Sequence, residues 1–286
     1  MTKISRRDFT SLAITGVAGL LLPRALQAAK PGVIIGVQSY SFRDRSLDEA
    51  LAAMQEIGLK SCELWSGHLE PKGISREELT AWRNNKALSV CQEVKQKFAQ
   101  AKVNIQAFNY SFREDFSDAE IEQGFKMAQA LGTNTITCSS TVKVMPRVGR
   151  YANQYKIKVG MHNHDHTEDP NEFSTPESFT KGMEGSNSPY VQMNLDIGHF
   201  TAANFDAVEY IKQHHAKILC LHIKDRKRDH GANLPFGEGD TPIKAVLTLL
   251  RDNKWNIPAN IEYEYKGADT VAEVKKCFAY CQKQLA

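Results

Sequence analysis

From residue 33 onward the chain switches eight times between a short β-branched run and a longer amphipathic segment, and this alternation limits the fold more than any other feature. Strand-like runs fall at 33–39, 61–65, 103–109, 135–139, 158–163, 192–197, 218–223 and 259–263. Helical patterns follow at 47–57, 89–101, 118–131, 144–155, 175–183, 206–214, 242–253 and 270–285. Strands that alternate with helices build parallel sheets, because a parallel partner can be reached only by a crossover. Eight such units in 286 residues suit one (β/α)8 barrel, whose ordinary size is about 250 residues. A doubly wound open sheet would alternate in the same way, but it usually carries a glycine-rich phosphate turn after an early strand, and none stands here. The expected fold class is therefore α/β, a single TIM barrel over residues 30–286.

Local signals agree with these segments. Asp118 before Ala119, Thr175 before Pro176 and Thr241 before Pro242 read as helix starts, and Gly58 and Gly132 as helix stops. The six cysteines form no C-x-x-C pair, and Cys62, Cys138 and Cys220 lie inside apolar runs, where a thiol behaves as a small core side chain. Cys277 and Cys281 share a helix face, a spacing that suits a disulfide poorly. All six are expected to be packing residues.

The first 29 residues differ in kind. Ser5-Arg6-Arg7-Asp8-Phe9-Thr10 precedes an uncharged apolar stretch over 12–22 and a small-residue exit at Ala25-Leu26-Gln27-Ala28. This order resembles a bacterial twin-arginine export signal. The apolar run is shorter than the roughly 20 residues a bilayer span needs, so no stable membrane anchor is expected. The expectation is a soluble periplasmic protein delivered by the twin-arginine machinery, free to form a homo-oligomer. A formal charge of +3 provides no basis for an extended phosphate-binding face, so nucleic acid is not an expected partner.

In a barrel, chemistry belongs at the carboxyl ends of the strands, and the polar residues collect there. The fifth strand ends in Met161-His162-Asn163-His164-Asp165-His166, and the sixth in Asn194-Leu195-Asp196-Ile197-Gly198-His199. The seventh ends in His222-Ile223-Lys224-Asp225, the eighth in Glu262-Tyr263-Glu264. Glu262 and Glu264, two apart, point to one side of their strand, where an acidic pair needs a cation to balance it. His162 and His164 share a side by the same rule, so that one of them could enter a metal shell while the other meets substrate, and the sequence does not decide which. Gln38, Tyr40, Phe42, Trp65, Phe108 and Tyr110 suggest an amide and aromatic rim for a sugar ring, although core packing accounts for at least half of the aromatics. The run 224–230 reads as a solvated loop apart from Lys224, and Glu168 and Glu172 as solvated loop residues.

With these motifs the chain resembles the xylose isomerase-like barrel superfamily, from Gly36-Val37-Gln38-Ser39-Tyr40 to the last helix. The resemblance implies one divalent ion held by a Glu on strand five, an Asp on strand six, a His on strand seven and a Glu on strand eight. Carried over by position, it makes Asp196, His222 and Glu262 ligands, with His162 where the family has glutamate. That replacement changes the charge and basicity of the site, since the family's two glutamates also move the substrate proton. The ion, Mn, Mg, Co or Zn, would polarise a carbonyl and stabilise the enediolate left by proton removal. His162 or Glu264 would be the base and Lys224 the oxyanion partner, with His164, His199, Gln38, Glu63 and Trp65 meeting a carbohydrate substrate. The expected activity is sugar isomerisation or epimerisation; the alternative is a lyase performing β-elimination on a keto-sugar or 3-keto-glycoside. Non-catalytic sugar or metal binding ranks lowest. Endonuclease chemistry is disfavoured, because Glu63-Leu64-Trp65 and Ala107-Phe108-Asn109-Tyr110 lack the histidines a three-metal cluster needs.

Overall fold

The computed structural model describes residues 32–286, so the expected export segment lies outside the described residues. Eight parallel strands close into a barrel: β1 (Ile35–Gln38), β2 (Ser61–Trp65), β3 (Asn104–Asn109), β4 (Thr135–Cys138), β5 (Lys158–His162), β6 (Val191–Asp196), β7 (Ile218–Ile223) and, after a two-stranded ribbon, β10 (Ala259–Ile261). The ribbon pairs β8 (Asp225–Arg226) antiparallel to β9 (Asn233–Leu234). The helices are α1 (Leu47–Ile57), α2 (Arg76–Asn85), α3 (Ala87–Ala101), α4 (Asp118–Leu131), α5 (Met145–Tyr155), α6 (Pro176–Ser186), α7 (Ile197–Ala202), α8 (Ala207–His214), α9 (Ile243–Asn253) and α10 (Thr270–Leu285). The single (β/α)8 barrel of the sequence pattern is what the chain forms.

Sequence punctuation accounts for most helix limits. Ser46 with Glu49, Ser75 with Glu78 and Ser117 with Glu120 form reciprocal capping boxes at α1, α2 and α4. Gly58 and Gly132 close α1 and α4 in the left-handed conformation, φ 91° and 82°. Thr175 caps α6, as expected. Two expected starts need correction. Ser117 rather than Asp118 caps α4. Thr241 caps nothing: its hydroxyl accepts from the Arg226 amide, and α9 begins without a side-chain cap.

Three elements escaped the pattern. Polar α2 buries only Arg83 and shows little apolar period. Short α7 grows directly out of β6 with Asp196 as its cap. The ribbon falls in the run expected to be a solvated loop, yet Asp225 and Arg226 are buried. Asp225 accepts from the amides of Gly237, Gly239 and Thr241, and this local anchoring needs no hydrophobic signal.

Apolar residues fill the space between strands and helices, from Val37 and Leu64 to Phe179 and Val274. All six cysteines are free and buried, as expected of packing residues. The inside of the barrel is polar. Glu63 accepts hydrogen bonds from Thr137 (2.6 Å), Asn260 (3.0 Å), Gln38 (3.2 Å) and Asn109 (3.3 Å), contacts that reach four other strands and place its carboxylate within the ring.

Candidate metal centre

Strand register brings the ligand-type residues together. Asp196 at the end of β6 lies beside His222 on β7, and His162 at the end of β5 lies beside Asn194, two residues before Asp196. Glu262 follows β10 directly. His162, Asp196, His222 and Glu262 each offer one ligand atom, and these atoms lie within 4.8 Å of one another. All four side chains are buried. No other such group occurs among the described residues.

One orphaned atom fits the same reading. Nδ1 of His162 is buried without a hydrogen-bond partner, while Oδ2 of Asp196 faces the Lys224 ammonium at 3.2 Å. A buried unpaired polar atom is costly, and a bound cation would satisfy the His162 nitrogen. A metal also requires neutral imidazole, and burial together with His222 holds the His162 pKa well below the usual histidine range. Burial favours protonation of Asp196 and, against the pull of Lys224, pushes its carboxyl up to about 6. Glu262 moves the other way: Lys224 and His222 overcome its burial and hold it well below the usual carboxylate range.

His222 stands between two carboxylates. Its Nε2 lies 2.9 Å from Glu63 and its Nδ1 3.0 Å from Glu262. These carboxylates outweigh burial and raise its pKa well above the ordinary histidine value, so a metal at Nδ1 would have to take the place of a proton there. Glu63 was expected to meet substrate, and that expectation is corrected: it is fully buried, because β2 carries it inside the ring and not to the rim. From there it orients the His222 ring, as carboxylates that back metal-bound histidines do.

Lys224 reaches this cluster from the first residue after β7. Its ammonium is 3.2 Å from Asp196, 2.8 Å from Glu262 and 2.5 Å from Glu264. Three carboxylates keep it charged despite complete burial. Gly198 makes room for it, since a Cβ there would come 2.2 Å from Cγ of Lys224. Lys224 also lies 3.1 Å from Nε2 of His199, whose Nδ1 sits between Asp165 at 2.8 Å and Arg226 at 2.7 Å. Burial and then Lys224 lower the His199 pKa to about 3, leaving it neutral.

Asp165 and Arg226 went unnoticed in the sequence. Arg226 donates to Asp165 at 2.6 Å and to the Gly231 carbonyl at 2.8 Å, and His230 lies 3.1 Å from the other Asp165 oxygen. His199 and Arg226 overcome burial and hold the Asp165 carboxyl far below its usual range. The signal available was the pairing of an acid inside His162–His166 with a basic run after β7, but such runs are more often solvent-facing.

Above the cluster opens a cavity of about 320 Å³. Gln38, Tyr40, Trp65, His164, His199 and Glu264 are among the residues that line it. Asn109, Ser111 and Ser139, at the ends of β3 and β4, also line it and were missed, being ordinary loop-type residues by sequence. His164 lies 3.3 Å from Glu172, which is therefore not merely a solvated loop residue. Phe42, Phe108 and Tyr110 are fully buried core and do not face the cavity. A larger hollow, about 700 Å³, opens among Val33, Lys60, Gln106 and Phe278, and Lys60 is its one acid-base side chain among the described residues.

Comparison with known proteins places this geometry in context. Curated relatives include the L-ribulose-5-phosphate 3-epimerase UlaE of Escherichia coli, 29% identical over 101 residues, 35% of this chain and 36% of that protein. The chain thus spans about a third of the length of the curated relatives it matches. Among solved structures, a sugar phosphate isomerase/epimerase from Parabacteroides distasonis superposes with a TM-score of 0.65 at 19% identity, covering 91% of this chain and 99% of that one. The 3-keto-D-glucoside 4-epimerase YcjR of E. coli gives 0.65 at 13% identity over 88% and 99%. At those identities the likeness is one of fold. The family model described as Xylose isomerase-like TIM barrel matches residues 51–281, and the chain belongs to that family.

Proposed function

We propose that this protein is a divalent-metal-dependent sugar isomerase or epimerase that moves a proton at the carbon beside a carbonyl. The observation that carries the proposal is the convergence of two imidazoles and two carboxylates, with an orphaned His162 nitrogen among them, beneath a cavity of sugar size. His162, Asp196, His222 and Glu262 would hold the ion, which as a Lewis acid makes a neighbouring carbonyl easier to deprotonate at its α-carbon. Mn, Mg, Co and Zn all suit mixed imidazole and carboxylate donors.

The remaining roles belong to the side chains around that set. Glu264, beside Lys224, is the base. His162 serves as a ligand and leaves that role to it, since one ring nitrogen cannot do both. Lys224 holds Glu264 in place at 2.5 Å and offers a proton to an oxygen that gains charge. His199, held between Asp165 and Lys224, turns Nε2 toward the ammonium and keeps it in position. The related UlaE, named as an epimerase of a ketose phosphate, supports this class of chemistry.

Asp196→Ala and His222→Ala in the full chain should each lose bound metal and turnover while circular dichroism stays that of the wild type. Undiminished turnover in both would end the proposal. Product analysis separates the lyase alternative, because isomerisation conserves mass and β-elimination releases water or an aglycone. Export by the twin-arginine route is part of the same reading, and a mature periplasmic protein beginning near residue 29 is its expected product.

A further inference from the structure

Resting on that isomerase reading, we infer that the pocket is built for an unphosphorylated, uncharged sugar and rejects the corresponding phosphate ester. A phosphate group brings a charge of about −1.5 to −2 and needs cationic or amide donors to replace its water. Among the described residues lining the cavity, Lys224 is the one lysine or arginine, and it is already shared by Asp196, Glu262 and Glu264. Two guanidiniums bonded to neighbouring residues are also engaged. Arg226 serves Asp165 and Gly231, and Arg43 donates to the carbonyls of Tyr40 and Tyr263. Glu264 adds a carboxylate to the lining, and the Lys72 ammonium, 5.8 Å over the Trp65 ring, lies outside it.

What the cavity does present suits hydroxyls and C–H faces. Asn109, Ser111 and Ser139 supply a neutral amide and two hydroxyls. Trp65 forms a fixed apolar wall: Tyr40 meets its ring edge-on at 5.0 Å, and Ser39 holds its backbone amide at 2.8 Å. Gly67 underlies the same ring, where any Cβ would come 2.2 Å from it. A cavity of about 320 Å³ is at the small end of ligand pockets, roughly 300–1,000 Å³, and suits a single sugar ring.

The test uses the full chain loaded with Mn²⁺ and matched pairs: fructose with fructose 6-phosphate, ribulose with ribulose 5-phosphate, xylulose with xylulose 5-phosphate. Deuterium uptake from D2O at the carbon beside the carbonyl is followed by NMR. A neutral member should exchange with kcat/KM at least about 100-fold above its ester, the discrimination expected when a charge is left unpaired. Inorganic phosphate at 10-fold excess over the sugar should not inhibit. Ser139→Lys, which adds an ammonium to the cavity wall, should narrow the gap. Equal or better exchange with the esters, or competitive inhibition by phosphate, overturns the inference while leaving the isomerase reading intact. No exchange with any pair, where metal binding persists, removes both.

Discussion

Glu63 holds Nε2 of His222 at 2.9 Å from inside the barrel, so the nitrogen that faces the ligand cluster is Nδ1. Carboxylates behind metal-bound histidines typically contribute 10–100-fold in affinity. Glu63→Gln keeps the shape and removes the charge, and the affinity for Mn²⁺ or Zn²⁺ should fall by about that factor. Competition with a chromophoric chelator measures it directly, and unchanged affinity would remove Glu63 from the centre's support.

Asp165 couples the site wall to stability. Its folded carboxyl is held far below the unfolded value by His199 and Arg226, so the stabilisation is fully present above about pH 4, near the ordinary Asp pKa, and is lost as pH falls below it. Asp165→Asn should cost about 3 kcal/mol at neutral pH, the low end for breaking a buried pair, because Arg226 keeps the Gly231 carbonyl. The gap in Tm between wild type and variant should therefore hold from pH 7 to about pH 4 and narrow progressively as the pH falls below that. A gap independent of pH would mean the carboxylate charge is not what matters.

Helices α5 and α6 approach at Gly149, where a Cβ would lie 2.0 Å from the backbone oxygen of Ser186. The obstacle is main chain and cannot swing aside. Gly149→Ala should destabilise by about 1–3 kcal/mol, the usual cost of overpacking, without changing metal affinity. Chemical denaturation and the chelator assay together separate the two effects.

Ser117 and Glu120 close a reciprocal capping box at α4. Ser117→Ala should cost about 1 kcal/mol, and Asp118→Ala should spare the cap even as it releases Arg147 and Arg150 on the surface. Larger loss from the Asp118 change would reverse the assignment of the cap.

The barrel was legible because β-branched runs and amphipathic segments alternate with different periods, and β2 and β7 were located to the residue. The meeting of His162, Asp196, His222 and Glu262 was legible for a related reason: in a parallel barrel every strand ends at the same face, and the family resemblance singled out these positions, while the choice between His162 and His164 stayed open. Depth was not legible. Period two says which way Glu63 points but not how far below the rim it sits, and that difference turned an expected substrate contact into a support for His222. The Asp165–Arg226 pair joins residues 61 apart through a ribbon set by hydrogen bonds to Asp225, and no apolar pattern announces it.

The polar interior has a consequence for how such a protein can change. In many barrels the inner layers are interchangeable aliphatic filling, and stability can drift there without touching chemistry. Here Glu63 ties Gln38, Asn109, Thr137 and Asn260 to the histidine that faces the cluster, so mutations that improve packing inside the staves would also alter the reactive centre. Thermal hardening of this chain is therefore better sought in the outer shell of helices, where Gly149 and the capping serines touch the scaffold alone.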